Sequence, residues 1–139
     1  LLAAGAAVDG ADKYGATALH IAAEKGHAAV VERLVAANAA VNSAFCDGWS
    51  SLHLAALNGH AAVVENLLAA GAAVDGADKY GATALHIAAE KGHAAVVERL
   101  VAANAAVNSA FCDGWSSLHL AALNGHAAVV ENLLAAGAA

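Results

Sequence analysis

Gly15-Ala16-Thr17-Ala18-Leu19-His20-Ile21-Ala22-Ala23 decides how this chain is read, because the phrase does not occur only once. A varied form, Gly48-Trp49-Ser50-Ser51-Leu52-His53-Leu54-Ala55-Ala56, follows 33 positions later. The first form returns unchanged at 81–89 and the varied form at 114–122. Self-similarity at a fixed spacing marks a repeat architecture. Residues 1–66 and 67–132 are identical, so two periods coexist: an approximate one of 33 and an unvarying one of 66.

Working outward, Val8-Asp9-Gly10-Ala11-Asp12-Lys13-Tyr14-Gly15 has the Gly and Asp content of a long turn. Thr17 suits an N-cap, since its hydroxyl can accept a bond from an early helix N–H. A short first helix then runs to about Lys25, and Gly26 ends it by supplying the left-handed conformation. His27 opens a second helix, about Ala28–Ala37, with Val30, Val31, Leu34 and Val35 on one apolar stripe. Asn38 closes it, because Asn tolerates the left-handed region. The second copy repeats this plan with Ser50, Gly59 and Gly71, but its turn reads Ser43-Ala44-Phe45-Cys46-Asp47-Gly48-Trp49. Leu1–Ala4 reads as the last turn of another helix, stopped by Gly5. Helices this short are marginal alone, so copies must stack to bury the stripe. The expected fold is an all-α solenoid.

Composition agrees. Apolar residues make up 60% of the 139 and charged ones 13%. Alanine causes the high figure, and it favours helix while offering little side chain to bury. No uncharged apolar run of about 18 residues occurs, so a membrane-spanning helix is not expected. The net charge of −6 argues against nucleic acid, which needs a clustered basic face. No signal peptide or lipidation motif is visible. The opening phrase Leu1-Leu2-Ala3-Ala4-Gly5 belongs to the middle of a repeat and recurs at 133–139, as in a window cut from a longer array.

Asp12 through His27 reads D-K-Y-G-A-T-A-L-H-I-A-A-E-K-G-H, and Val30-Val31, Leu34-Val35 and Val41-Asn42 follow it. In this the chain resembles the ankyrin repeat over essentially its whole length. The resemblance implies 33-residue helix-turn-helix repeats joined by β-turn or hairpin loops. A single array is expected, with 1–11 the tail of a preceding repeat, repeats at 12–44, 45–77 and 78–110, and a truncated one at 111–139. Departures stand out. The family's proline before Leu-His is Ala18 or Ser51, which should soften each first turn. The leucine after Gly-His is Ala28 or Ala61, which thins the packing between second helices. Ala29, Ala36, Ala40, Ala62, Ala69 and Ala73 stand where the family often carries charged residues. Such a plain surface fits deliberate idealisation, side chains reduced to alanine, or the averaging of unlike repeats. Polar end caps, which solenoids need for solubility, are also missing.

Candidate chemistry is sparse. His20, His53, His86 and His119 form one series, and His27, His60, His93 and His126 another. Equivalent histidines one helix spacing apart, about 8–10 Å, cannot share a metal that needs its ligands at about 2 Å. By resemblance, the first series bonds turn backbone and ties neighbours together. Cys46 and Cys112 lie two repeats apart, too far for a disulfide, which needs Cα atoms within about 7 Å. They read as free thiols, and a cytoplasmic-type soluble protein is the default where no localisation signal is legible. Lys13/Glu24/Lys25 and Glu32/Arg33 read as solvated faces. No catalytic pair, phosphate loop or cofactor site is apparent.

The resemblance also implies a non-enzymatic scaffold that grips a protein partner through its turn tips and concave face. Those positions are Lys13, Tyr14, Ala16, Glu24 and Lys25 in one copy and Cys46, Asp47, Trp49, Leu57 and Asn58 in the next. They recur as Lys79, Tyr80, Glu90 and Lys91, and as Cys112, Asp113, Trp115, Leu123 and Asn124. Tyr and Trp are common interface anchors. A Trp49/Leu57 patch, recurring as Trp115/Leu123, is one candidate surface. Local packing of Phe45 and Trp49 to steady their turn is the equal alternative. The unvarying unit suggests an engineered or idealised array, and its uncapped ends suggest head-to-tail self-assembly as the alternative function.

Overall fold

The computed structural model describes residues 8–139; the helix end expected at Leu1–Ala4 and Gly5 lies outside them. Eight helices occur among the described residues, in four helix-turn-helix pairs: α1 (Ala18–Lys25) and α2 (Ala28–Ala36), α3 (Ser51–Asn58) and α4 (Ala61–Ala69), α5 (Ala84–Lys91) and α6 (Ala94–Ala102), α7 (Ser117–Leu123) and α8 (Ala127–Ala135). First helices pack in a row, α1 on α3 on α5 on α7, and second helices in a parallel row, α2 on α4 on α6 on α8. The solenoid expected from the spacing is what forms.

Each first helix starts in a reciprocal cap. Thr17 Oγ1 accepts from the His20 N–H, while His20 Nδ1 accepts from the Thr17 N–H at 2.9 Å. Ser50/His53, Thr83/His86 and Ser116/His119 repeat the arrangement. Glu or Gln commonly plays this role; here an imidazole does. Ala18 is the first residue of α1, so the absent proline would have stood where it is best tolerated. Gly26 ends α1 in the left-handed region, as expected, with φ +78°. Asn38 stands past the end of α2 at φ +68°, where Gly71 serves α4 at φ +95°.

The core lies between the two rows. Leu19, Leu52 and Leu85 are buried there against Val31, Val64 and Val97, with Leu34, Leu67, Leu100 and Leu133 beside them. Burying each such side chain contributes roughly 1.5–3 kcal/mol. The alanine pairs Ala22-Ala23, Ala55-Ala56 and Ala88-Ala89 are fully buried, so small side chains line the contact between first helices. The second row is thinner. An open groove of about 280 Å³ lined by Glu32, Val35, Asn66, Ala69 and Ala70 lies between α2 and α4. Ala28 and Ala61 are not among its walls and pack against the core.

The tips alternate in construction. In the first and third pairs, Asp12 and Asp78 close the turn. Asp12 Oδ1 accepts from the Tyr14 and Ala16 N–H groups at 2.8 and 3.0 Å, and Asp78 Oδ1 does the same for Tyr80 and Ala82. In the second and fourth pairs Phe45 and Phe111 stand in those places, and the tip becomes a small antiparallel hairpin. Strand β1 (Ala44–Phe45) pairs with β2 (Trp49–Ser50), and β3 (Ala110–Phe111) with β4 (Trp115–Ser116). Asp47 and Gly48, at φ +64° and +82°, form the bend, and an Asp-Gly pair is suited to such a hairpin turn.

Candidate functional site

The tips and the outward side of the first helices are built from residues that neighbouring units hold in place. Two sets of histidine bonds do most of this. His20 Nε2 donates to the Ser43 carbonyl, His53 Nε2 to Ala82 and His86 Nε2 to Ser109, each at 2.9 Å. All three rings are buried, and burial pulls each imidazole pKa below its usual value. The neutral form also suits the bonds, because Nδ1 must be bare to accept the cap N–H. The tie expected of this series is therefore present, and it has two designs. The acceptor lies just before the strand in a hairpin tip, but on the far arm in an Asp-closed tip.

The second histidine series reaches the other way. His60 Nε2 donates to the Glu24 carbonyl, His93 to Leu57 and His126 to Glu90, at 2.9–3.0 Å. A side-chain chain runs along the turns as well. Asp9 Oδ1 accepts from Ala40 N, Asn42 Oδ1 from Ala73 N, Asp75 Oδ1 from Ala106 N, and Asn108 Oδ1 from Ala139 N. Both sets escaped the sequence reading. The signal was present: positions 9, 42, 75 and 108 are always Asp or Asn at a spacing of 33.

On this frame the candidate residues separate into groups. Tyr14 and Tyr80 project from the Asp-closed tips, 61% and 57% exposed. Lys13 and Lys79 place their ammonium groups 5.2 and 5.1 Å from those ring centroids. Lys79 Nζ is also 2.7 Å from Asp47 Oδ1 on the preceding tip, which holds its pKa above the usual lysine value. Ala16 is half-buried, while Glu24, Lys25, Glu90 and Lys91 are exposed at the ends of α1 and α5. Asn58 and Asn124 are exposed, and their amides donate back to the Leu54 and Leu120 carbonyls of their own helices.

Trp49 packs, tilted, at 5.4 Å on His53, and Phe45 at 4.8 Å on His20, so local packing accounts for part of both rings. Leu57 is half-buried against the core. The equivalent Trp115 and Leu123 are more exposed, at 37% and 68%. Cys46 and Cys112 are exposed free thiols, and Cys46 Sγ donates to the Tyr14 carbonyl at 3.5 Å. Asp113 is exposed on the last hairpin.

Four candidates meet in one place. Trp49, Tyr80, Glu90 and Cys112 line a cleft of about 240 Å³ that spans three tips and has Ile87, Phe111 and Leu120 among its walls. Among the described residues, no group of three or more His, Cys, Asp or Glu side chains is placed to hold a metal ion. None of the described helices is long and apolar enough to cross a membrane.

A family profile described as ankyrin repeats, in three copies, matches residues 1–78 and 52–139. Comparison with curated proteins gives no match.

Proposed function

This chain belongs to the ankyrin-repeat family, whose members are generally protein–protein interaction modules and typically non-enzymatic, and we propose that it binds a protein partner through its tips and the outward side of its first helices. In this reading the chain is one array with repeats at 12–44, 45–77, 78–110 and 111–139. The observation that carries the proposal is the cleft joining Trp49, Tyr80, Glu90 and Cys112, where aromatic rings and a carboxylate border an apolar floor. Concave apolar surface with a few polar groups is what recognition sites offer.

Selection of peptides from a displayed library against the folded chain tests it. Selected peptides should lose about tenfold or more in affinity with Tyr80→Ala, as for an aromatic anchor, and be unaffected by Glu98→Ala on α6. Peptides indifferent to Tyr80→Ala and Tyr14→Ala would overturn the proposal.

Two finer readings accompany it. The unvarying 66-residue unit supports an engineered or idealised array. Peptide mapping that found different side chains at equivalent positions of the two halves would refute that. Head-to-tail self-association is the alternative reading: Leu123 and Leu134, exposed on the fourth pair, are the counterparts of Leu57 and Leu68, which are half-buried where a further pair follows. It predicts a mass in solution that rises with concentration and falls with Leu123→Glu/Leu134→Glu; a constant mass would exclude it.

A further inference from the structure

The cleft between the second, third and fourth tips has a charge character that narrows what it can take. Its ionisable lining consists of Asp78, Glu90, His86, Tyr80 and Cys112, with no lysine or arginine among them. His86 is spent on Ser109 and Thr83, and Asp78 Oδ1 on two backbone N–H groups. Glu90 stands exposed at the end of α5. The Lys79 ammonium, beside the lining residue Tyr80, is paired with Asp47. That same ammonium lies 5.1 Å from the Tyr80 centroid with the Asp47 carboxylate beside it, so a second cation at this ring needs a carboxylate of its own, which the exposed Glu90 in the lining supplies. An aromatic face attracts a cation electrostatically, and apolar walls accept the methylene stem that carries it.

We propose that this cleft receives a basic side chain, lysine or arginine, from an extended segment of a protein partner. The aliphatic stem lies along Ile87, Phe111 and Leu120, and the charged head sits between the Tyr80 ring and the Glu90 carboxylate. The proposal rests on the protein-binding reading and names the partner chemistry within it. The chain's net charge of −6 favours approach of such a segment.

The test uses side-chain mimics on the whole 139-residue chain. Isotope-labelled protein is titrated with n-butylammonium, n-butylguanidinium, n-butanol and butyrate while amide resonances are followed by NMR. The two cations should shift the Tyr80, Ile87, Glu90 and Phe111 amides, and butanol and butyrate should not do so comparably. Glu90→Gln should weaken the cation response about twofold, and Tyr80→Leu about threefold, while Glu98→Gln leaves it unchanged. Equal shifts from butanol, or cation shifts insensitive to both cleft variants, would overturn the proposal. If the cations fail while library peptides still map to Tyr80, only this inference falls. Failure of the peptides as well removes the binding reading beneath it.

Discussion

His60 occupies the space that a side chain at Gly26 would need. Its Nε2 donates to the Glu24 carbonyl at 3.0 Å, and its ring atoms come within 2.7 Å of where a Cβ on residue 26 would stand. His93 lies over Gly59 and His126 over Gly92 in the same way. The glycine thus answers two demands: a left-handed backbone and room for the neighbour's imidazole.

Gly59→Ala therefore carries two penalties. The left-handed backbone, at φ +73°, costs an alanine about 1–2 kcal/mol. The added methyl also meets His93 at 2.8 Å, which threatens the His93–Leu57 bond and about 1 kcal/mol more. Urea unfolding of the single and double variants separates them. In a His93→Ala background only the backbone penalty should remain. An unchanged cost in that background would refute the steric account.

Stability should fall as the solution is acidified through the histidine range. His20, His53 and His86 have folded-state values held below their ordinary 6.5, chiefly by burial. On acidification the unfolded chain takes up these protons first. The contribution is fully present above about pH 6.5, is lost as pH drops below it, and levels off beneath the folded values. Between the two, each histidine contributes a slope of up to about 1.4 kcal/mol per pH unit. Circular dichroism of urea-unfolded samples from pH 7.5 to 5 measures it, and His53→Gln should flatten the curve. Stability that is constant or rises toward pH 5 would contradict this account.

Asn42 can be dissected by two substitutions, because its amide works at both ends. Oδ1 accepts from Ala73 N at 2.7 Å while Nδ2 donates to the Gly71 carbonyl at 3.2 Å. Asn42→Asp keeps the first bond and loses the second, for a cost of about 1 kcal/mol. Asn42→Ala loses both. Hydrogen exchange should show the Ala73 amide still protected in Asn42→Asp and released in Asn42→Ala. Equal protection in the two variants would mean the side chain does not hold that loop.

Element positions were legible because their signals are local. Thr17 as cap, Gly26 as stop and the valine-leucine stripe of α2 need only a few neighbouring residues to be read, and α2 ends within one residue of expectation. What stayed hidden depends on the next unit. That His60 would reach the Glu24 carbonyl, or that Asp9 would hold the loop at Ala40, follows only once the stacking distance is known. His20 as the far half of a cap was missed because that place is usually read for Glu or Gln. Among the candidate residues, the tip tyrosines emerged exposed, whereas Trp49 and Leu57 are partly covered. The cleft could not be assembled in advance, since three successive tips contribute to it.

The alternation of tip designs makes this chain behave like a crystal whose unit cell holds two motifs. His20 and His86 donate to a serine carbonyl ahead of a hairpin, whereas His53 donates to the carbonyl of Ala82 beyond an Asp-closed bend. Excising 66 residues leaves every such handshake in phase. Excising 33 sets two like tips side by side, so that one imidazole must exchange its acceptor for the one the other tip design offers: a stacking fault in one dimension, created without altering a single remaining residue.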